Sequence, residues 1–589
     1  MYVRRIKIAN YRGIRDLDWH LPKGRDLICL IGPGDSGKST IIEALLLAMG
    51  DRWNPTTSDT DFFEGAIEKP IVIRVVVSGL SAAIMKDSAH GLHLSGIDED
   101  GKLYQDPTDD LDPCLIVQME IDSTLEPVWT IERVDIGDSY ALSSYQRREF
   151  AVFKVDERTD THLRWTRTSA LGRMSAADGG PGAKSAMAVA ARAARDAIGD
   201  LEDEGIDDLT SRVQDKLNEV GSGSFGAIRA GLDTSLSSAG GNLALYEDTV
   251  PLANFGLGSK RLSALAIQQM AAGSRSILLV DEIEHGLEPH RLVALLRRLV
   301  ADASYSQVFI TTHSPIAVEQ AATPNLAIVR NNNGAVRVEF LPEGTSQTAL
   351  RLRRSRPSSF LAKRIIVAEG KTEEGLLLAL IERWDSERAS AGRSVAAGEG
   401  VVVQDGQGGS EVPPRMRALA DLGYEVTGLL DNDDRTVDKA VAKLEASGMT
   451  ILRWSRGFNS EKQIANSITV EGLSSLLHLG VQIRRNAATV LNDLEQAGLP
   501  DTFESLDVSS WLVDGSVNAE GAAEIIADAM ISAEWFKSVD GGRALGEWVA
   551  TNRAFFIRAE IFQIFDAVHD FIYPPQSSAS NGERDDAGN

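Results

Sequence analysis

Two acid clusters stand at the ends of apolar runs. The stretch "IIVAEGKTEEG" at 365–375 closes its Ile/Val run with Glu369 and Gly370, and "VTGLLDNDD" at 426–434 closes with Asp431 and Asp433. A strand that stops at an acid offers that side chain to the crevice at the carboxyl edge of the sheet, where open α/β sheets place ligands. Residues i and i+2 of an extended segment project to one side, so Asp431 and Asp433 can share a divalent ion that Glu369 completes or bridges. Hard carboxylate oxygens in this number suit Mg2+, Mn2+ or Ca2+ rather than zinc. Glu373, and Glu461 in "RGFNSEKQI", are within reach as further ligands. The plainer alternatives are a first-turn helix acid at Glu369 and a solvated turn at "LLDNDD". Gly406, Gly408 and Gly409 in "QDGQGGSE" read as turn backbone rather than chemistry.

A second constellation suits phosphate. "GPGDSGKS" at 32–39 follows the apolar "LICLI" and opens "TIIEALLLAM". Gly32, Gly34 and Gly37 let the backbone curl so that its N–H groups and the helix N-terminus face the phosphates. Lys38 reaches the terminal ones from an exposed, unpacked position, Ser39 can ligate magnesium, and Thr40 completes the nucleotide-binding set. "SILLVDE" ends in Asp281, suited to the magnesium shell, and Glu282, suited to activating or positioning water. "NFGLGSKRLSALA" sets Gly256, Gly258 and Ser259 before a helix, and "VFITTHSP" places His313 past a strand end, as a phosphate contact or as a core histidine.

The elements that must position these residues make an α/β protein of more than one domain, since 589 residues exceed a single core. Residues 1–345 read as a P-loop ATPase domain, with Ala, Leu and charges at helical spacing marking an insertion at about 170–245. That insertion is either extra packing or a dimerisation arm. Arg351, Arg353, Arg354, Arg356, Lys363 and Arg364 make a dense basic run around a linker at 346–362, and this run either guides nucleic acid or balances nearby acids. A second α/β unit at 363–555, an apolar helix at 556–573 and a polar tail at 574–589, expected to be disordered, complete the chain. The formal net charge of −25 opposes general polyanion binding, so any nucleic-acid site must be a local patch. Two cysteines, Cys29 and Cys114, supply neither a disulfide framework nor a zinc site. The charged start and the lack of a long apolar run point to a cytoplasmic protein without membrane contact.

The P-loop, the segment 256–261 as a signature motif, the strand 277–282 and His313, with "IANYRGI" near the start, resemble the ABC-type ATPases of chromosome maintenance and recombination. That resemblance implies ATP with Mg2+, and a homodimer or higher homo-oligomer in which Ser259 of one protomer meets nucleotide held by another. Ile283 stands where that group commonly has proline, and Glu288 where it usually has Asp. No glutamine-loop residue stands out, since Gln118 reads as an ordinary strand residue. A nucleotide-sensing clamp and a motor both stay open.

Glu-Gly followed by Asp-x-Asp resembles the TOPRIM domain of topoisomerases, primases and related nucleases. The order of ATPase and TOPRIM is similar to the overcoming-lysogenization-defect (OLD) family, which includes the nuclease of the Gabija antiphage system. The resemblance implies DNA cleavage by two metal ions under ATPase control, in antiphage defence or DNA metabolism. It also implies a catalytic lysine, matched here by Lys537 in "WFKSVDGG", and a helicase-like partner. Two other readings stand beside it: an RNA or tRNA nuclease, and a DNA-tethering ATPase with a structural acid cluster.

Overall fold

The computed structural model describes residues 1–51, 55–86, 89–134, 139–155, 162–165, 169–171, 174, 204–220, 225–232, 243–272, 276–301, 305–342, 344–513, 515, 517–558 and 560–575. It forms two compact units, Met1–Gly344 and Thr345–Asn589.

The first unit is built on a 14-stranded sheet. Its main strands are β1 (Tyr2–Tyr11), β2 (Ile14–His20), β3 (Leu27–Ile31), β4 (Ile71–Ser78), β5 (Asp112–Ile121), β6 (Pro127–Glu132), β7 (Val152–Val155), β8 (Ser276–Val280), β9 (Tyr305–Thr311), β10 (Leu326–Asn332) and β11 (Ala335–Phe340). They run in the order β7-β8-β9-β3-β10-β11-β2-β1-β4-β5, with β6 paired to β5. The segment from β7 to β10 is parallel, and β3, β8 and β9 are buried at every residue. Continuous apolar runs such as "LICLI" are what a strand covered on both faces requires. From β2 to β6 the pairing is antiparallel, and β1 alternates from Ile6 to Ala9 between buried and exposed. Cys29 and Cys114 are both buried, and burial pushes both thiols up, Cys114 to about 12.

Helix α1 (Lys38–Met49) follows β3 directly through the glycine loop. Of the insertion expected at about 170–245, the structure describes helix α2 (Glu204–Val220), two antiparallel strands, Ile228–Leu232 and Leu243–Glu247, and a few residues beside them; the rest lies outside the described residues. Within the described part, the expected helix stands beside a strand pair. Leu209, Val213, Leu217 and Val220 share one face of α2 and are buried within the unit. Helix α3 (Leu257–Ala272) begins inside the signature stretch.

The second unit holds a four-stranded, wholly parallel sheet of β12 (Arg364–Ala368), β13 (Val401–Asp405), β14 (Glu425–Leu430) and β15 (Thr450–Arg453). The order β13-β12-β14-β15 reverses direction between β12 and β14, which makes their carboxyl ends a topological switch point. Residues 346–362 do not form a linker. Helix α4 (Gln347–Ser355) and a 3-10 turn at Pro357–Leu361 belong to this unit, with Leu352, Arg353 and Phe360 buried. The further helices that matter here are α5 (Lys371–Ser390), α6 (Val412–Asp421), α7 (Ser460–Ala465), α8 (Val539–Thr551) and α9 (Glu560–Ile572). The apolar face of α9, Ile561, Phe565, Val568 and Ile572, joins the core of the unit, so it is not a spare surface for a partner. Of the tail expected to be disordered, residues 576–589 lie outside the described residues. Among the described residues, no helix is long and apolar enough to cross a membrane.

Candidate functional sites

The loop from β3 to α1 is shaped by close approach. A side chain at Gly32, whose φ is +144°, would collide with the carbonyl of Val329. Lys38 is not exposed as the sequence suggests: it is 3% accessible, and its Nζ donates to the carbonyls of Gly32 at 3.0 Å and Pro33 at 2.7 Å and to Ser36 Oγ at 3.2 Å. Burial lowers its pKa to about 8, against the pull of Asp35, Glu284, Asp281 and Glu282. A buried ammonium curled against its own loop is poised to exchange carbonyls for phosphate oxygens.

Ser39 and Asp281, 242 residues apart, meet: Ser39 Oγ donates to Asp281 Oδ1 at 2.8 Å. Thr311 at the end of β9 donates to the same oxygen at 2.7 Å and accepts from the Glu282 N–H. Glu282 takes a positive φ of 47°, and its carboxylate lies 3.5 Å from His285 Nδ1. The hydroxyl and the hard carboxylate facing each other across the loop fit a magnesium–nucleotide, and Gly34 has open space beside it. Thr40 is half-buried on the first turn of α1.

Glu284 was not singled out in the sequence, yet it organises the segment after β9. Its carboxylate accepts from the His313 N–H and from Thr312 Oγ1, each at 2.6 Å. His313 stands at the rim of the site, where partial desolvation and then Lys38 hold its pKa below the ordinary value. Ser259 lies on the first turn of α3; among the described residues no hydrogen bond joins it to the P-loop. The same helix is tied to the magnesium acid through Arg261, which donates to the carbonyls of Asp281 and His285.

The second site closes the switch point. Ala368 and Leu429 are register partners, which brings the next residues of both strands side by side. Glu369 Oε2 accepts the Asp431 N–H at 2.8 Å, and its carboxylate also accepts from the Gly409 backbone, so the glycine loop serves the acid through its main chain. Glu373, 4% accessible, caps α5 by accepting from the Gly370 N–H at 2.9 Å. Its other oxygen accepts from Ser460 Oγ at 2.6 Å, and the Ser460 N–H donates to Asp431 Oδ1 at 3.1 Å. Trp454 Nε1 in turn donates to Ser460 Oγ at 2.9 Å. Ser460 thus orients two acids from different elements, a role hidden in "FNSEKQ" behind an ordinary helix start.

The charges of this cluster act on one another. Burial first, then Glu373, Glu369, Glu461 and Asp433, pushes Asp431 up to about 10. Burial and Glu373 raise the 4% accessible Glu461 to about 7, with Lys537 pulling the other way. Burial also raises Glu369, with Glu373 and Asp433 adding to it. Asp433 is exposed, and Asp434 beside it does the turn work, accepting from the Thr436 N–H at 2.8 Å. Lys537 is exposed in the turn before α8. That turn is held at the start of α5, where Thr372 Oγ1 donates to the Phe536 carbonyl at 3.1 Å and a side chain at Gly375 would collide with the Val539 carbonyl.

Among the described residues, no three His, Cys, Asp or Glu side chains form a ready-made metal cage. Glu369, Glu373 and Asp431 each direct oxygens to N–H or O–H donors. The donor set still fits divalent cations, because buried carboxylates that raise one another are stable only when protonated or neutralised by positive charge.

Comparison with known proteins bears on the first unit. Residues 27–319 match the family model described as "AAA domain, putative AbiEii toxin, Type IV TA system". This segment is a P-loop ATPase domain, with ATP and Mg2+ as the ligands such domains take. No curated protein matches the chain. Among solved structures, the chain is similar to an Smc head bound to the C-winged helix domain of ScpA, at 14% identity and a TM-score of 0.37, over 58% of this chain and 99% of that one. It is also similar to the Pyrococcus furiosus Smc head with an extended coiled coil, at 13% identity and a TM-score of 0.38, over 60% and 100%. The Thermotoga maritima SMC head domain gives 13% identity and a TM-score of 0.30, over 58% and 100%. The ATPase assignment rests on the family match and the P-loop geometry.

Proposed function

We propose that this protein is an ATP-regulated, divalent-metal-dependent DNA endonuclease of the OLD type, nicking or cleaving DNA in antiphage defence, with its second unit a TOPRIM domain. The observation that carries the reading is the pairing of Glu369 with Asp431 at the switch point of a parallel sheet, inside a cluster that also holds Glu373, Asp433 and Glu461. Glu369, Asp431 and Asp433 would hold the ions, with Glu373 and Glu461 completing the set. Bound divalent ions supply an activated water and stabilise a leaving 3′ oxygen. Lys537, whose charge reaches Glu461, would balance negative charge on the phosphoryl group under attack.

Nucleotide is held by Lys38 and Ser39 with Asp281, and Glu282 acts on water. Ser259 is then left for the nucleotide of a second protomer, which makes a homodimer the working unit, and a helicase-like protein would deliver its substrate. The name of the matched family, which carries a toxin of a toxin–antitoxin system, is in keeping with a defence role.

The test is to incubate the purified chain with supercoiled plasmid and total RNA side by side, in Mg2+ and in Mn2+, with and without ATP. Nicked or linear plasmid with intact RNA is expected. Degraded RNA with intact plasmid would make it an RNA nuclease. Plasmid bound but uncut under every condition would favour a tethering ATPase.

A further inference from the structure

The nucleotide site contains a cation that the P-loop pattern does not include. Lys154 lies on β7 beside β8, in register with Leu279, and its side chain is 7% accessible. Its Nζ contacts Glu43 Oε1 on α1 and stands 3.8 Å from Asp281 Oδ2. The other oxygen of Asp281 already accepts from Ser39 and Thr311. The carboxylate suited to magnesium is therefore shared between two hydroxyls and a tethered ammonium.

A tethered ammonium and a divalent ion beside one carboxylate compete, because each lowers the negative potential that attracts the other. We infer that Lys154 is a built-in counter-cation of the nucleotide site, acting through Asp281 so that the site holds nucleotide with reduced dependence on Mg2+ and takes up Mg2+ less avidly. Lys154 is a positioning residue in this role. Glu43 keeps the ammonium beside Asp281 rather than letting it fold toward solvent.

The test uses the full chain and a fluorescent ATP analogue, titrated in EDTA and then with Mg2+ at fixed analogue. The charge-balanced variant Glu43→Gln/Lys154→Gln should bind the analogue at least about threefold more weakly in EDTA and reach half-saturation at about threefold less Mg2+. Lys154→Arg, which keeps the cation, should stay within about twofold of wild type on both measures. Lys154→Met carries the same comparison if the paired variant folds poorly. Opposite movement of the two measures supports the inference. Both measures unchanged, or both weakened together as damaged packing would give, overturns it.

Discussion

Glu369 and Asp431 close one switch point from its two sides: the carboxylate of the first accepts the backbone N–H of the second at 2.8 Å, so one acid fixes the chain that carries the other. Hydrogen bonding sets the geometry, while burial and like charges set the electrostatics. The acid cluster is held together by N–H and O–H donors, and its own charges make it electrostatically unfavourable when fully ionised.

Asp431→Asn should therefore stabilise the metal-free protein. Burial and the neighbouring acids raise the carboxyl of Asp431 in the fold, so its favourable contribution is complete below the unfolded value near 4 and is lost as pH rises from there toward the raised folded value. In EDTA at pH 8 the variant should melt about 2–4 °C higher than wild type, the size of about 1 kcal/mol in a unit of this length. The gain should shrink toward pH 4. A variant that instead melts lower than wild type at pH 8 would mean that the carboxylate is a structural partner.

The P-loop, the acid strand end "LLVDE", and Glu369 with Asp431 are legible in the sequence because each sits where a continuous apolar run stops at a glycine or an acid. Ser460, Glu284 and Lys154 are not, since their partners lie 87, 29 and 111 residues away and no local spacing encodes such contacts. The basic run leaves its two readings open in the sequence for a related reason. Arg364 is buried and pairs with Glu425 at 2.8 Å, and Arg356 pairs with the buried Glu374 at 3.3 Å, so part of that charge serves the fold. Pattern reading sees the charges but not their partners.

Nucleotide affinity should depend on the proton of Lys38. Burial lowers its pKa to about 8 in the nucleotide-free fold, while phosphate favours the charged form, so binding takes up a proton once the pH passes about 8. Affinity for ATP should then decline as pH rises from 8 to 10, measured by calorimetry. Lys38→Met should bind weakly throughout and show no such decline. A flat wild-type profile across that range would place the charge elsewhere.

Glu284 should matter for turnover more than for binding. Its carboxylate fixes the His313 N–H and Thr312, so Glu284→Ala should retain ATP binding within a few-fold yet slow hydrolysis at least about tenfold, the size of a lost charge-assisted hydrogen bond. Glu284→Gln, which keeps an oxygen for the His313 N–H, should recover part of the rate. Equal loss in both variants would point to charge rather than positioning.

Arg351 and Arg354 are the exposed members of the run on α4, and they are the ones that would track phosphate. Replacing both with Ala should weaken DNA binding for all sequences alike and reduce the slope of log affinity against log salt by about 1.8, two phosphate contacts' worth on duplex DNA. An unchanged slope would leave α4 as a structural helix.

The most direct test of the central claim is the cleavage of supercoiled plasmid by Glu369→Gln beside wild type, in Mg2+ and in Mn2+. A first-turn helix acid would lose at most about 1 kcal/mol of stability on becoming an amide and leave cleavage nearly intact. A metal-holding carboxylate predicts no detectable nicking by the variant, with melting temperature and ATP binding retained. A Glu369→Gln protein that cuts the plasmid at near wild-type rate would contradict the account.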